Sequence, residues 1–391
     1  NPDNVFEFWG EWDKYQITGR GGDGSTPLEA TVTEDAPEYV WNFSWRRVIN
    51  SNTSLHVAYT GYSGYFYLDP ASGYDTQGHI DGDTGEASDN STYYYLADRY
   101  RHQVVASVSQ YSDNFLTGKH DFKYGIELER SRTRSRAGIP GNAYYYEYAG
   151  YTYGGNYYDP VTYAYVGYYT YDQKGVNHRA SAFMQDSWQI NDRWTVNPGV
   201  RFDFNRGSAP GQGNVFRTQP ISPRIGFAFD LTGKKKTVLK AHYGRYQEGL
   251  KSNYYQFMSP HASSAQAVYT YNPNVVTNFD PYNPDPGLLS SSQPEQRYKM
   301  DKDIEHPYMD QYVLAFEHDL GNDFAVKAEL IYRRNKNFIE SVSIDGDFDK
   351  VVGVGEDGEL VPLYNQNNLD DTLLITNPDW LKREYSAFIL T

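Results

Sequence analysis

The stretch from Trp194 to Phe204 reads WTVNPGVRFDF, and its alternate residues belong to two different surfaces. Trp194, Val196, Pro198, Val200, Phe202 and Phe204 occupy the even positions, against Thr195, Asn197, Gly199, Arg201 and Asp203 on the odd ones. A period of two is that of a β-strand with one apolar and one polar face. ISPRIGFAFDL, from Ile221 to Leu231, repeats the pattern: Ile221, Pro223, Ile225, Phe227, Phe229 and Leu231 alternate with Ser222, Arg224, Gly226, Ala228 and Asp230. Working outward, the same two-faced spacing recurs at Tyr39-Trp41-Phe43-Trp45, Phe122-Tyr124-Ile126-Leu128, Tyr312-Leu314-Phe316 and Phe324-Val326-Ala328-Leu330-Tyr332. It is looser at Leu55-Val57-Tyr59 and Leu239-Ala241-Tyr243, and both faces are mixed over 180–190.

The connections choose between architectures. Short turns fall at 50–52, 116–119, 191–193, 232–234 and 321–323, and between them lie long polar stretches at 69–98, 131–177, 206–219, 249–309 and 337–383. Outer-membrane barrels alternate this way, with tight periplasmic turns and long extracellular loops. A soluble sandwich has turns at both ends and no cause for the asymmetry. The expectation is therefore an all-β, transmembrane antiparallel β-barrel with long extracellular loops, supplying about 12 strands of the ~9–11 residues that a tilted span needs. Trp45, Trp188 and Trp194 flank short turns, where amphipathic rings meet the membrane interface. Residues 1–391 read as one barrel piece of a longer chain with no separate soluble domain, and its outermost strands must find partners, because unpaired backbone is costly in hydrocarbon.

Composition agrees. Hydrophobic residues are only 39% of the 391, yet aromatics reach 17%, including 39 Tyr. A packed soluble core draws mainly on Leu, Ile and Val; an aromatic outer face over a polar lumen fits better. No apolar run approaches the roughly 18 residues of a transmembrane helix, and mean hydropathy is −0.74, as alternating strands require. Absence of Cys removes disulfides and thiolate sites. A net charge of −15 argues against nucleic acid as a partner.

SAFMQDSWQINDRWTVNPGVRFDF (Ser181 to Phe204), ISPRIGFAFDL and TVLKAHYGRY (Thr237 to Tyr246) resemble the barrel of Oar-like TonB-dependent transporters, as do GYFYLDP (Gly64 to Pro70) and GKHDFKYGIELE (Gly118 to Glu129). The resemblance covers most of the chain, though not its long loops. It implies a bacterial outer-membrane location, a plug domain, an energising TonB system and a barrel of about 22 strands, of which this chain matches the middle. No TonB-contacting segment or plug is legible here.

No catalytic constellation is present: the nine His show no HExxH and Ser shows no GxSxG, so no enzyme is expected. Glu127 and Glu129 read as hydrated lumen wall near Lys123, and Arg201, Asp203, Arg224 and Asp230 as inward groups expected to form ion pairs. Two acidic loops offer hard oxygens suited to Ca²⁺, at Asp81, Asp83 and Asp89 and at Asp345, Asp347 and Asp349. The competing reading is solvated charge. Between Tyr144 and Tyr171 lie 13 of the 39 Tyr with only Glu147 and Asp159 ionised. Tyr145, Tyr148, Tyr151, Tyr153, Tyr157, Tyr163, Tyr165 and Tyr168 are the candidate ligand contacts, since Tyr combines rigid apolar area with a polar tip. The ligand would be a glycan, a peptide or a surface protein, with Arg130, Arg132, Arg134 and Arg136 at the loop base. Three functions stay open: a transporter that captures its ligand with extracellular loops for energised uptake; a non-transport adhesin or surface scaffold; and a secreted β-rich glycan-binding protein. Outer-membrane lipid, lipopolysaccharide included, would cover the apolar face of the first two.

Overall fold

Short turns and alternating faces combine into one meandering sheet in a computed structural model, which describes residues 3–113, 115–167, 171–259, 261, 266–293, 297–322, 324–355, 358–368 and 371–391. Its strands are β1 (Asn4–Arg20), β2 (Val32–Asn50), β3 (Thr53–Pro70), β4 (Tyr94–Ser112), β5 (Lys119–Gly138) and β6 (Tyr171–Gln189). The second half comprises β7 (Trp194–Ala209), β8 (Ile221–Asp230), β9 (Thr237–Gln247), β10 (Tyr308–Gly321), β11 (Phe324–Lys336) and β12 (Arg383–Leu390). Each strand pairs antiparallel with the next, and a short strand, Gly213–Thr218, folds back on β7. Among the described residues the pairing runs from β1 to β12 without closing. The free edges of both strands therefore need pairing partners wherever they meet hydrocarbon. No described helix is long and apolar enough to cross a membrane, which says nothing of strands.

The burial pattern is inside-out. Phe43, Leu128, Phe202, Leu314 and Leu330 are exposed at 46–53%. Their polar neighbours Ser44, Ser107, Ser181, Asn205 and Ser222 are buried. Register aligns the apolar positions across strands, as in Phe8–Phe43–Tyr59–Val104–Leu128–Ala180–Phe204. A band of large apolar side chains running across a sheet, with polar residues packed behind it, is stable only if lipid covers the band. Such a surface also removes the secreted soluble alternative.

All short connections gather at one end, and the side chains of Asx residues fold them. Asn50 accepts from the Asn52 N–H at 2.9 Å, Asn191 from Arg193 at 2.9 Å, and Asp319 from Gly321 at 2.8 Å. Such side chains mimic a backbone turn. Asp323 of the last turn lies outside the described residues. Gly118 is obligatory here: its φ is +80°, and a Cβ would lie 2.1 Å from the Gln189 carbonyl oxygen. The expected aromatic girdle is present at this end, with Trp194 stacked on Phe229 at 4.2 Å, Trp188 on His120 at 5.3 Å and Trp45 on Phe6 at 6.1 Å.

The strands run further than the sequence pattern suggests. β5 extends to Gly138 and β6 begins at Tyr171, so Arg130, Arg132, Arg134 and Arg136 stand on a strand rather than on a loop base. At about 3.3 Å per residue a 20-residue strand outreaches the ~25 Å apolar band even when tilted. Its upper part rises above the lipid and carries polar residues on both faces.

Candidate functional site

Among the described residues, two clusters of buried apolar residues lie at the long-loop end, and the wall between them and the short turns relies on lipid instead. The first cluster organises a second sheet from three loops, in the order Leu289–Gln293, Gln266–Tyr271, Val161–Gly167, Ala143–Tyr148, Gly78–Asp81, Ala87–Ser88. Ala143, Tyr145, Ala164, Val166, Ala267 and Tyr269 form its core, with Phe279 packed against them. Asn142, whose φ is +63°, turns the chain into this sheet and donates to the Pro281 carbonyl at 2.9 Å.

Strand alternation divides the tyrosines. Tyr144 pairs with Tyr165, Tyr146 with Tyr163 and Tyr148 with Val161, which puts these rings on one face. Tyr144 and Tyr165 stack at 4.8 Å, while Tyr146 meets Tyr165 edge-on at 5.6 Å and Tyr148 meets Tyr163 at 5.8 Å. With Tyr151, Asp83 and Asp159 they line a cleft of about 570 Å³. Burial pushes the Tyr144 and Tyr165 hydroxyls above the ordinary phenol range, so both remain neutral donors. Tyr148 lies across Gly82, where an added Cβ would sit 2.4 Å from the ring. The Ala149 N–H donates to Asp83 at 2.8 Å and fixes the rim.

Four of the candidate tyrosines, Tyr148, Tyr151, Tyr163 and Tyr165, therefore line one cleft. Tyr145 faces the opposite way, buried, donating to Gln77 at 3.1 Å and stacked on His79. Tyr153 and Tyr157 stand exposed on the hairpin Tyr151–Tyr153/Asn156–Tyr158, and Tyr168 lies outside the described residues. Tyr144 and Tyr146 were missed, although a strict two-residue count through Tyr144-Tyr145-Tyr146 separates them from Tyr145.

The acidic candidates are engaged in loop geometry. Asp81 accepts from the Asp83 and Thr84 N–H groups, both at 2.9 Å, and those backbone bonds hold its carboxyl below the ordinary range. Asp89 accepts from the Ser88 hydroxyl at 2.9 Å, Asp345 from the Thr372 N–H, and Asp347 from the Asn367 amide at 3.4 Å. Asp349 is exposed on Phe348–Val354. Glu356, Asp357 and Asp370 lie outside the described residues. Among the described residues no three His or carboxylate groups converge to hold a metal ion.

On the inner wall, Glu127 and Glu129 pair with arginines rather than Lys123. Arg179 bonds Glu127 at 2.7 Å and Glu129 at 2.8 Å, and Arg101 reaches Glu129 at 2.6 Å. Arg201 bonds Asp203 at 2.9 Å and approaches Glu127 at 3.3 Å, completing a ladder over β4 to β7. The expectation of ion pairs fails at two of its four residues. Arg224 lies over the Tyr246 ring at 4.7 Å, and Asp230 is taken by turn N–H groups, the Lys235 one at 2.7 Å. Part of the loop 248–307 folds onto this wall: Gln256 donates to Gln173 at 2.6 Å, and Thr133 to Ser252 at 2.8 Å.

This geometry defines the wall of a bacterial outer-membrane β-barrel, capped at its extracellular end by folded loops. Residues 209–345 match the family described as Outer membrane beta barrel domain. The chain is 26% identical over 324 residues to the TonB-dependent transporter Oar of Myxococcus xanthus, an alignment covering 73% of this chain. It spans 30% of that relative's length. Its fold is shared with the outer membrane transporter YddB from Escherichia coli, at TM-score 0.52 and 15% identity, over 99% of this chain and 42% of that one. A copper transporter, OprC, gives TM-score 0.51 and 11% identity over 100% of this chain and 48% of that one. These relatives are transporters rather than enzymes.

Proposed function

We propose that the chain forms the pore wall of a TonB-dependent transporter whose extracellular loop sheet captures a ligand for energised uptake. The observation that carries this reading is the tyrosine cleft, built jointly by separate loops at the mouth of the wall. Its rings offer stacking area with neutral hydroxyl tips, the chemistry of a polar organic ligand such as a glycan or peptide. A plug domain and the TonB system are the partners this function requires, and the polar ladder on the inner wall is a suitable surface for a hydrated lumen. The outer band faces lipid, including lipopolysaccharide. Ca²⁺ is carried no further, since turn and loop bonds occupy most of the candidate carboxylates.

The test uses the full-length protein, solubilised and applied to arrays of oligosaccharides and of peptides. Y146A/Y165A should abolish retention of whatever the wild type binds, while Y153A on the outer hairpin should retain it. Equal retention by all three would refute the cleft. Deleting the whole 150–169 segment is a poorer test, because it removes Val161–Gly167 from the middle of the loop sheet. A surface adhesin would bind equally well in cells lacking an energised inner membrane, whereas uptake of the same array ligand would stop.

A further inference from the structure

The lipid-facing side of β5 changes character abruptly. Tyr124, Ile126 and Leu128 point outward and are exposed, and the next residues on that face are Arg130, Arg132, Arg134 and Arg136. Register carries the change sideways. The last apolar row is Val104–Leu128–Ala180–Phe204, and two residues further out the row reads His102–Arg130–His178–Arg206–Arg217. Three Arg and two His thus stand side by side on five strands, with no carboxylate between them. Arg206 and Arg217 are directly opposed; like charges so placed destabilise a sheet, and the nearby low dielectric strengthens the repulsion.

The neighbouring carboxylates do not relieve it. Asp172 is held by Arg134 through two bonds of 2.9 and 2.7 Å, and Asp98 by Arg136 at 3.4 Å. Among the described residues Arg130, Arg132, Arg206 and Arg217 have no ion pair, and the Nε of Arg132 is buried without a partner. Arg217 lies over the Phe204 ring at 5.0 Å, which pins one cation at the edge of the apolar band. All this is set in a chain of net charge −15. A local cationic row against that background needs a counter-anion, and its position dictates the source. It begins one pleat beyond the side chains that lipid covers, at headgroup depth.

We propose that this row on the outer face of β4 to β7 binds the phosphorylated headgroup of an outer-leaflet glycolipid. Planar guanidinium groups suit phosphate oxygens through paired charge-assisted bonds, and Arg130, Arg206 and Arg217 are the principal contacts. The site rests on the membrane placement of the barrel and not on ligand capture by the tyrosine cleft. Its anchoring lipid would orient the wall and oppose rotation of β5 and β6 out of register with the leaflet.

Native mass spectrometry of the full-length protein, delipidated and then mixed with diphosphorylated lipid A, tests the site. Wild type should retain the lipid, and R130Q/R206Q/R217Q should retain at least tenfold less. Monophosphorylated lipid A should bind more weakly, and phosphatidylcholine should be equally poor with both proteins. R130K/R206K/R217K keeps the charge and should show intermediate retention, which also covers a glutamine variant that fails to fold. Unchanged retention by the glutamine variant overturns the site. So does inorganic phosphate that displaces the lipid at equal concentration, because the row would then be a free-phosphate site. If the barrel did not face lipid at all, no lipid would bind either protein preferentially, and the nitroxide scan described below would fail independently.

Discussion

Replacing Met184 with Arg should destabilise the membrane-inserted protein by about 2–4 kcal/mol, the cost of a midplane cation on a lipid-facing strand. The position follows from the structure. On β7 the apolar outer face runs from the interfacial Trp194 to Phe204, beyond which Arg206 begins the basic row. At about 3.4 Å per residue and a tilt near 45°, those residues span roughly the ~25 Å apolar band. Val200 lies near its centre, and Met184 is its cross-strand partner, itself paired with Tyr124 on the other side. Met184 is 53% exposed, so removing it leaves no protein cavity and the penalty is one of transfer into lipid. Gln185 is the control: it alternates to the inner face, and Gln185→Arg should change stability by less than about 0.5 kcal/mol. The assay is urea unfolding of the full-length protein in phosphatidylcholine vesicles, followed by Trp fluorescence. The expected loss for M184R corresponds to roughly a 30- to 700-fold change in the folding constant. A neutral M184R, or equal losses for the two variants, would refute the inside-out assignment.

Other outcomes follow from the same geometry. Chymotrypsin added to intact cells should cut at Tyr282 and Tyr153, which are 72% and 74% exposed on long loops, and should spare Trp194 beside its short turn; equal cleavage at both ends would break the topology. Gly118→Ala should slow barrel assembly, seen as loss of the heat-modifiable gel species, because φ is +80° and the new methyl meets the Gln189 carbonyl; normal assembly would show that the turn can relax. The turn at Asp81 should be ordered at neutral pH and loosen only in acid: its native pKa is depressed, so its contribution is present above the ordinary aspartate value and lost as pH falls through the lowered one. Protease sensitivity of residues 81–86 as a function of pH checks this. EDTA should leave the same segment unchanged, and EDTA-induced cleavage there would restore the Ca²⁺ reading.

The wall was legible where lipid imposes a rule. β7 and β8 alternate cleanly because one side of each meets hydrocarbon and the other meets polar groups. β4 and β1 escaped notice for related reasons. Of β4, only Val104, Ala106 and Val108 sit in the apolar band, while Asp98, Tyr100 and His102 continue the same outer face above it. β1 places Trp9 on the face it shares with Asn42, which breaks its pattern of Phe6, Phe8 and Trp12. Hydrophobic alternation ends where a strand leaves the membrane, although its backbone pairing continues. That is why loop boundaries such as 131 and 177 fell short of the real strand ends. The tyrosine site was half legible: residue type located the loop, but facing depends on pairings with distant segments such as Gln266–Tyr271, which no local pattern encodes. The basic row was hidden for the same reason, since Arg206 and Arg217 join Arg130 only through register.

The most direct test of the central claim is a single-nitroxide scan of 124–129 and 200–205 in liposomes, comparing collision rates with oxygen and with a water-soluble nickel complex. Oxygen access should peak at positions 124, 126, 128, 200, 202 and 204, with the nickel complex favouring 127, 129, 201 and 203. Low access to both reagents throughout, as between two packed protein layers, would contradict a lipid-facing barrel wall.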